Sequence, residues 1–137
     1  MKISSLHIVG VSYKNASAIE RGKFSLDHSK SQELLLKAAE LGIKSIVINS
    51  TCNRVELYAY VNSFTQIIDL LCDYSHGKKS NFNKIGYTLE GEAAIEHLFK
   101  VGTGLDSQIL GDFEIIAQMR KSFKTSKDLG LVNPYFD

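Results

Sequence analysis

Cysteine, proline and surplus charge are all scarce in this 137-residue chain, and each scarcity removes a class of protein. The two cysteines, Cys52 and Cys72, lie far apart in unlike surroundings. That excludes a secreted scaffold held by disulfides and argues for a reducing, cytoplasmic compartment. Sixteen basic side chains against fifteen acidic ones leave a net charge of +1. No broad cationic surface therefore clamps nucleic acid by charge alone, and any such contact is local. No stretch approaches the ~18–20 consecutive apolar residues of a membrane span. His7 and Gly10 interrupt the first β-rich run, which makes it a poor match to the apolar region of a signal peptide. The single proline, Pro134, lies near the end, and neither an internal repeat nor a low-complexity tract is present.

What is present suits one globular domain. Hydrophobic residues make up 44% and charged residues 23%, and folding at this length removes roughly 65–70% of the unfolded chain's surface from water, so the core needs no metal or disulfide staple. Ile3 to Val11 reads as a strand covered on both faces, with His7, Val9 and Val11 on one side and Leu6 and Ile8 on the other. A long polar loop, Ser12 to Asp27, follows, and long loops in compact domains are often functional. Ser29 and Gln32 have the form of a capping box, and Leu34, Ala38 and Leu41 recur on one helical face before Gly42 stops the helix.

Ser45 to Asn49 is a second strand. In the third, Val55, Leu57, Ala59 and Val61 alternate with Glu56, Tyr58, Tyr60 and Asn62. Only Ser50-Thr51-Cys52-Asn53-Arg54 separates the two, a hairpin turn. Ser63 and Gln66 open a helix through Ile67, Ile68, Leu71 and Tyr74 that stops at Gly77; Lys78 to Lys84 is a loop, and Ile85 to Leu89 a short fourth strand. Two further helices follow, one over about 91–101 burying Ile95, Leu98 and Phe99, and a longer one from about Asp112. The fold class is α+β: a ferredoxin-like βαββαβ domain with additional C-terminal helices. The order predicts a four-stranded antiparallel sheet with helices on one face and the last helix beside that core.

Cys52 is the first candidate for chemistry. Most free cysteines are small buried hydrophobes, but this one sits at a polar tip with no core to fill. The guanidinium of Arg54 nearby favours the nucleophilic thiolate, and its fork suits a carboxylate, which points to a carboxylate-bearing substrate. Cys72, in contrast, lies four residues after Ile68 in an apolar helix stretch, and packing accounts for it. Its spacing to His76 permits two ligands on one helix face, yet no third cysteine or histidine completes a metal set. Gly102-Thr103-Gly104 lacks the third glycine of a dinucleotide fingerprint and follows a helix rather than a strand, so no cofactor loop is expected. His97 transfers protons only if it faces the Cys52 turn, which spacing does not show. Arg120, Lys121, Lys124 and Lys127 complement a helix macrodipole.

These residues carry a resemblance. Ser50-Thr51-Cys52-Asn53-Arg54-Val55-Glu56-Leu57-Tyr58 resembles the active-site segment of the glutamyl-tRNA reductase family. The run from His97 to Ser107, with Ile109-Leu110-Gly111, is similar to that family's second signature, and Gly10 to Ala16 to its opening loop. The resemblance implies that Cys52 attacks the ester joining glutamate to tRNA, that tRNA leaves a thioester behind, and that hydride from NADPH releases glutamate-1-semialdehyde for tetrapyrrole synthesis. It places substrate contacts at Thr51, Asn53, Arg54, Ser107, Asp112, Phe113, Glu114 and Gln118, and an activity-related histidine at His97. The family's usual Glu-Pro-Gln is Asp112-Phe113-Glu114 here, and its Gly-Gln is Ala117-Gln118.

The family's enzymes are longer, so the chain reads as a catalytic domain truncated before the NADPH-binding and dimerisation domains. By itself it is expected to bind neither NADPH nor a metal. Glutamyl-tRNA is the expected partner, with a homodimer formed through the missing domain and glutamate-1-semialdehyde aminomutase as a recipient of product. The competing reading is a ferredoxin-like RNA- or ligand-binding module with an incidental cysteine, in which Tyr58 and Tyr60 meet bases on the sheet. A redox-sensing thiol protein would want a resolving cysteine, which Cys72 is poorly placed to be.

Overall fold

A computed structural model describes residues 5–43 and 46–102 of the chain. Four strands, β1 (Ser5–Ser12), β2 (Ile46–Ser50), β3 (Arg54–Val61) and β4 (Tyr87–Glu90), form one sheet in the order β2-β3-β1-β4. Every neighbouring pair is antiparallel. With α2 (His28–Glu40) between the first two strands and α3 (Phe64–Tyr74) before the fourth, this is the ferredoxin-like arrangement expected from the element order. β1 and β3 are the central strands, and both are buried on both faces along nearly their whole length.

Alternation divides the sheet. Val9, Val11, Ile46, Ile48, Val55, Leu57, Ala59 and Val61 share one core with Leu34, Leu35 and Ala38 of α2 and Ile67, Leu70 and Leu71 of α3. Each such side chain removed from water contributes about 1.5–3 kcal/mol before entropy is charged against it. The opposite face is not bare. Leu6, Ile8, Val47 and Tyr58 pack there against Ala94 and, at the margin, Leu98 of α5 (Glu92–Gly102). Helices on one face only is thus corrected: four helices lie against one side and α5 covers the other.

Two more helices appear where loops were expected. Within 12–27 the chain forms α1 (Ala18–Phe24), opened by a capping box in which Ser17 and Glu20 satisfy one another's backbone. From the expected loop 78–84 into the first residue of the expected fourth strand it forms α4 (Lys79–Ile85). Each has seven residues and one buried anchor, Phe24 or Phe82. One anchor sets no period, so hydrophobic spacing is silent there.

Boundaries shift for similar reasons. Asp27, accepting from the Lys30 amide, caps α2 in place of Ser29, and Leu35 is buried in place of Leu41. Gly42, at φ +83°, takes the left-handed turn after α2 as expected. α3 ends at Tyr74, where Ser75 bonds back to the Leu71 carbonyl ahead of Gly77. Ile85 closes α4, so β4 begins at Tyr87. α5 buries Ala94 and Val101 and leaves Ile95 exposed. The expected helix from Asp112 lies outside the described residues.

Candidate functional site

The β2–β3 connection is Thr51-Cys52-Asn53, and its form follows from one hydroxyl. Thr51 Oγ1 accepts from the amides of Asn53 at 3.1 Å and Arg54 at 3.2 Å, while the Thr51 amide donates to the Arg54 carbonyl at 2.8 Å. A threonine oxygen that replaces a missing backbone acceptor is the usual way such a turn is closed. The Asn53 carbonyl accepts from the Tyr13 amide at 2.9 Å, and the Cys52 carbonyl from Arg21 Nε at 3.1 Å. The backbone is held, and the Cys52 side chain stands exposed on it, with Sγ 3.8 Å from Asn53 Oδ1.

Cys72 is the contrast. It packs against the core under α3, and burial raises its thiol above the ordinary range, with Asp69 and Asp73 adding to the effect. Of the two thiols, Cys52 is exposed and Cys72 is half-buried.

Beneath the turn lies a polar cluster that patterning missed. In register across the sheet run Asn49 of β2, Glu56 of β3, Gly10 of β1 and Tyr87 of β4. Glu56 is fully buried. Tyr58 donates to its Oε1 at 2.6 Å, and Asn49 Nδ2 donates in turn to the Tyr58 hydroxyl at 3.2 Å. Tyr87 donates to Oε2 across β1. That crossing needs Gly10: a Cβ there would sit 2.7 Å from Glu56 Cγ and 3.0 Å from the Tyr87 hydroxyl. His97, from α5, places Nε2 2.5 Å from Oε2, and Arg54 Nη1 lies 3.6 Å from Oε1.

Burial alone would push the Glu56 carboxyl up. The hydrogen bond and charge of His97, the Arg54 guanidinium and the Tyr58 hydroxyl outweigh it, so the carboxyl titrates below its ordinary value and Glu56 is ionised. An ionised carboxylate only accepts, so Nε2 of His97 carries its hydrogen toward Glu56. Burial, then the Glu56 charge, drive the Tyr58 and Tyr87 hydroxyls well up, and both stay protonated as donors.

Thr51, Cys52, Asn53 and Arg54 are therefore together, as expected. Thr51 is committed to the turn, Asn53 is buried, and the Arg54 side chain is fully buried at the start of β3. His97 is brought to Glu56, two residues beyond Arg54 on β3. Ser107, Asp112, Phe113, Glu114 and Gln118 lie outside the described residues. Glu56, Tyr87, Asn49 and Gly10 were not singled out. The available signal was a carboxylate in mid-strand where both faces are covered, a position that demands partners.

The described residues do not fit a nicotinamide dinucleotide. Where a strand reaches a helix through a left-handed glycine, at β4–Gly91–α5, that glycine is flanked by Glu90 and Glu92, whose charges repel a pyrophosphate. Nor do the described residues hold a group of three or more side chains suited to a metal ion. No described helix is long and apolar enough to cross a membrane. Tyr58 is 1% exposed with its hydroxyl bound to Glu56, so it offers no ring for a base.

Comparison with known proteins agrees with this geometry. Residues 9–137 match the family described as glutamyl-tRNAGlu reductase, N-terminal domain. The chain is 48% identical over 134 residues to glutamyl-tRNA reductase 2 of Flavobacterium johnsoniae, covering 98% of itself and 31% of that protein. It is 50% identical over 131 residues to the glutamyl-tRNA reductase of Christiangramia forsetii, covering 96% of itself and 31% of the relative. Among solved structures, glutamyl-tRNA reductase from Methanopyrus kandleri superposes with a TM-score of 0.75 at 27% identity, over 95% of this chain and 30% of that one. The chain thus spans about a third of the length of these relatives.

Proposed function

This chain belongs to the family of glutamyl-tRNA reductase N-terminal domains, and from that premise we propose that it carries the acyl-accepting half of such a reductase, the first step of tetrapyrrole synthesis. The observation that supports this most is the exposed Cys52 on a turn whose backbone is held by hydrogen bonds at Thr51, Asn53 and the Cys52 carbonyl. A thiol held on a fixed backbone loses little freedom on reaching its target, and an aminoacyl ester is already activated toward a thiolate.

The Cys52 thiolate adds to the ester carbonyl carbon, and a C–S bond forms. The C–O bond to the terminal ribose breaks, and the released oxygen takes a proton as tRNA departs. Glutamate stays on sulfur as a thioester. That Arg54 is the cation for the substrate's side-chain carboxylate rests on the residue type and the family resemblance, while Glu56 keeps its buried guanidinium in one orientation. Thr51 and Asn53 shape the approach to the thiol. The departing oxygen takes its proton from solvent, and His97, bonded through Nε2 to Glu56, is the activity-related histidine that the family resemblance implies. Contacts from Ser107, Asp112, Phe113, Glu114 and Gln118 rest on the family resemblance alone. No reducing step is derived from the described residues; hydride from NADPH belongs to a site outside them, as do dimer formation and product transfer to the aminomutase.

The test is mass spectrometry after mixing with glutamyl-tRNA in the absence of NADPH. A glutamyl adduct on the Cys52 peptide is the expected result. An adduct elsewhere, or on the Cys52→Ala variant, would overturn the assignment.

A further inference from the structure

One charged side chain at the turn has no part in the chemistry above. Arg21 lies on α1, thirty-one residues before Cys52, and its Nε donates to the Cys52 carbonyl at 3.1 Å. Its Nη1 donates to the Ala16 carbonyl at 2.7 Å. A single planar fork therefore joins the carbonyl of the proposed nucleophile's own residue to the segment that leads into α1. Charge-assisted bonds from a guanidinium are shorter and stronger than amide bonds, and the rigid fork fixes direction as well as distance.

The rest of the segment explains why the fork sits there. The Ser17–Glu20 capping box and the Arg21 amide, bonded to the Ser17 carbonyl at 2.9 Å, fix the start of α1. Ala16 is held in turn by its amide on the Ser12 carbonyl at 3.0 Å. Residues 13–26 then wrap the turn at three points. The Tyr13 amide reaches the Asn53 carbonyl, Arg21 reaches the Cys52 carbonyl, and the Leu26 amide reaches Ser50 Oγ at 3.0 Å. The outer two ties use backbone amides. The middle one uses a side chain, and it alone of the three lands on Cys52.

We propose that Arg21 is a positioning residue for Cys52: by bridging the Ala16 and Cys52 carbonyls it locks α1 against the turn and holds the thiol on one line of attack. The proposal rests on the reading of Cys52 as the acyl acceptor. It assigns α1, a helix absent from the hydrophobic pattern, a role in acyl transfer rather than in the core, to which it contributes only Phe24. It also sets the direction of the effect. Loss of the fork leaves the thiol present and reachable but less often aligned, so the rate constant falls while substrate capture does not. Misplacing a reacting group by about 1 Å can cost on the order of 100-fold in rate.

The experiment is single-turnover acylation by glutamyl-tRNA without NADPH, in an intact enzyme containing this domain, read as the amount and rate of adduct on Cys52. Arg21→Met is expected to reach the full amplitude at a rate constant lowered about 10–100-fold, with half-saturation within about twofold of the parent. Arg21→Lys, a cation without the fork, should recover part of the rate, and it keeps the test open if Arg21→Met does not fold. An unchanged rate constant overturns the proposal. So does reduced amplitude at an unchanged rate constant, because that pattern reports a helix that merely supports the fold. No adduct on Cys52 in the parent overturns the underlying reading, and with it this one; an adduct in the parent with an indifferent Arg21→Met overturns Arg21 alone.

Discussion

The two faces of the sheet are built from the same strands and do different work. One face carries aliphatic side chains from all of β1, β2 and β3 into a core shared with four helices. The other has a short apolar patch under α5 and, beside it, an ionised carboxylate fully surrounded by donors. The first face gains stability from area removed from water and tolerates substitution in proportion to the volume lost. The second has accepted the desolvation of Glu56 and depends on every partner being in place, because a buried charge left without them is costly. The polar face, not the larger core, sets the orientation of Arg54 and His97 around Glu56.

The sharpest break of the comparison is Cys52→Ala in an intact enzyme containing this domain. It touches neither face, so unfolding should be unchanged while semialdehyde formation falls by ~10⁴–10⁶-fold, as when other nucleophiles are removed. Steady-state kinetics alongside circular dichroism measure both.

Next is Glu56→Ala. Removing the common acceptor of Tyr58, Tyr87, His97 and Arg54 should cost about 3–5 kcal/mol in urea unfolding at pH 7. The effect has a pH signature. The folded-state carboxyl lies below the ordinary 4.5, so its contribution is complete above that value and is lost as pH falls through the folded-state value. The stability gap between the parent and Glu56→Gln should therefore narrow as pH falls below about 4.5. A gap that widened on acidification would show that Glu56 is protonated when folded.

On the apolar face, Leu34→Ala should cost about 3 kcal/mol through its cavity, with no pH dependence and with Cys52 alkylation by iodoacetamide unaltered in the folded protein. A change in that alkylation rate would mean that the two faces are coupled. The smallest effect is expected for Tyr87→Phe, which removes one of several donors to Glu56. It should lower stability by about 1–2 kcal/mol, read in the same urea titration, and leave Cys52 alkylation within twofold.

The order of the strands and the polar turn around Cys52 were legible because both are local. Alternation along β3, the capping at Ser63, the left-handed turn at Gly42 and the polar hairpin around Cys52 each depend on residues within a few positions of one another. α1 and α4 escaped because each presents one anchor and no period. The resemblance in residues 50–58 identified the family without any of the geometry.

The chain of amino acids by itself thus determined the order of the four strands with α2, α3 and α5, the ferredoxin-like class, the polar turn that bears Cys52 and the family to which the domain belongs. Only the tertiary structure decided that Glu56 would be a buried ionised hub, that Gly10 would open a gap for Tyr87 to cross β1, that α5 would cover the second face and bring His97 down, and that Arg21 would clasp the turn. The physical reason is separation along the chain. Glu56 meets Tyr87 across 31 residues and His97 across 41. Local periodicity reports which face a side chain takes, whereas lateral order across the sheet and the seating of a helix settle which strangers it meets there.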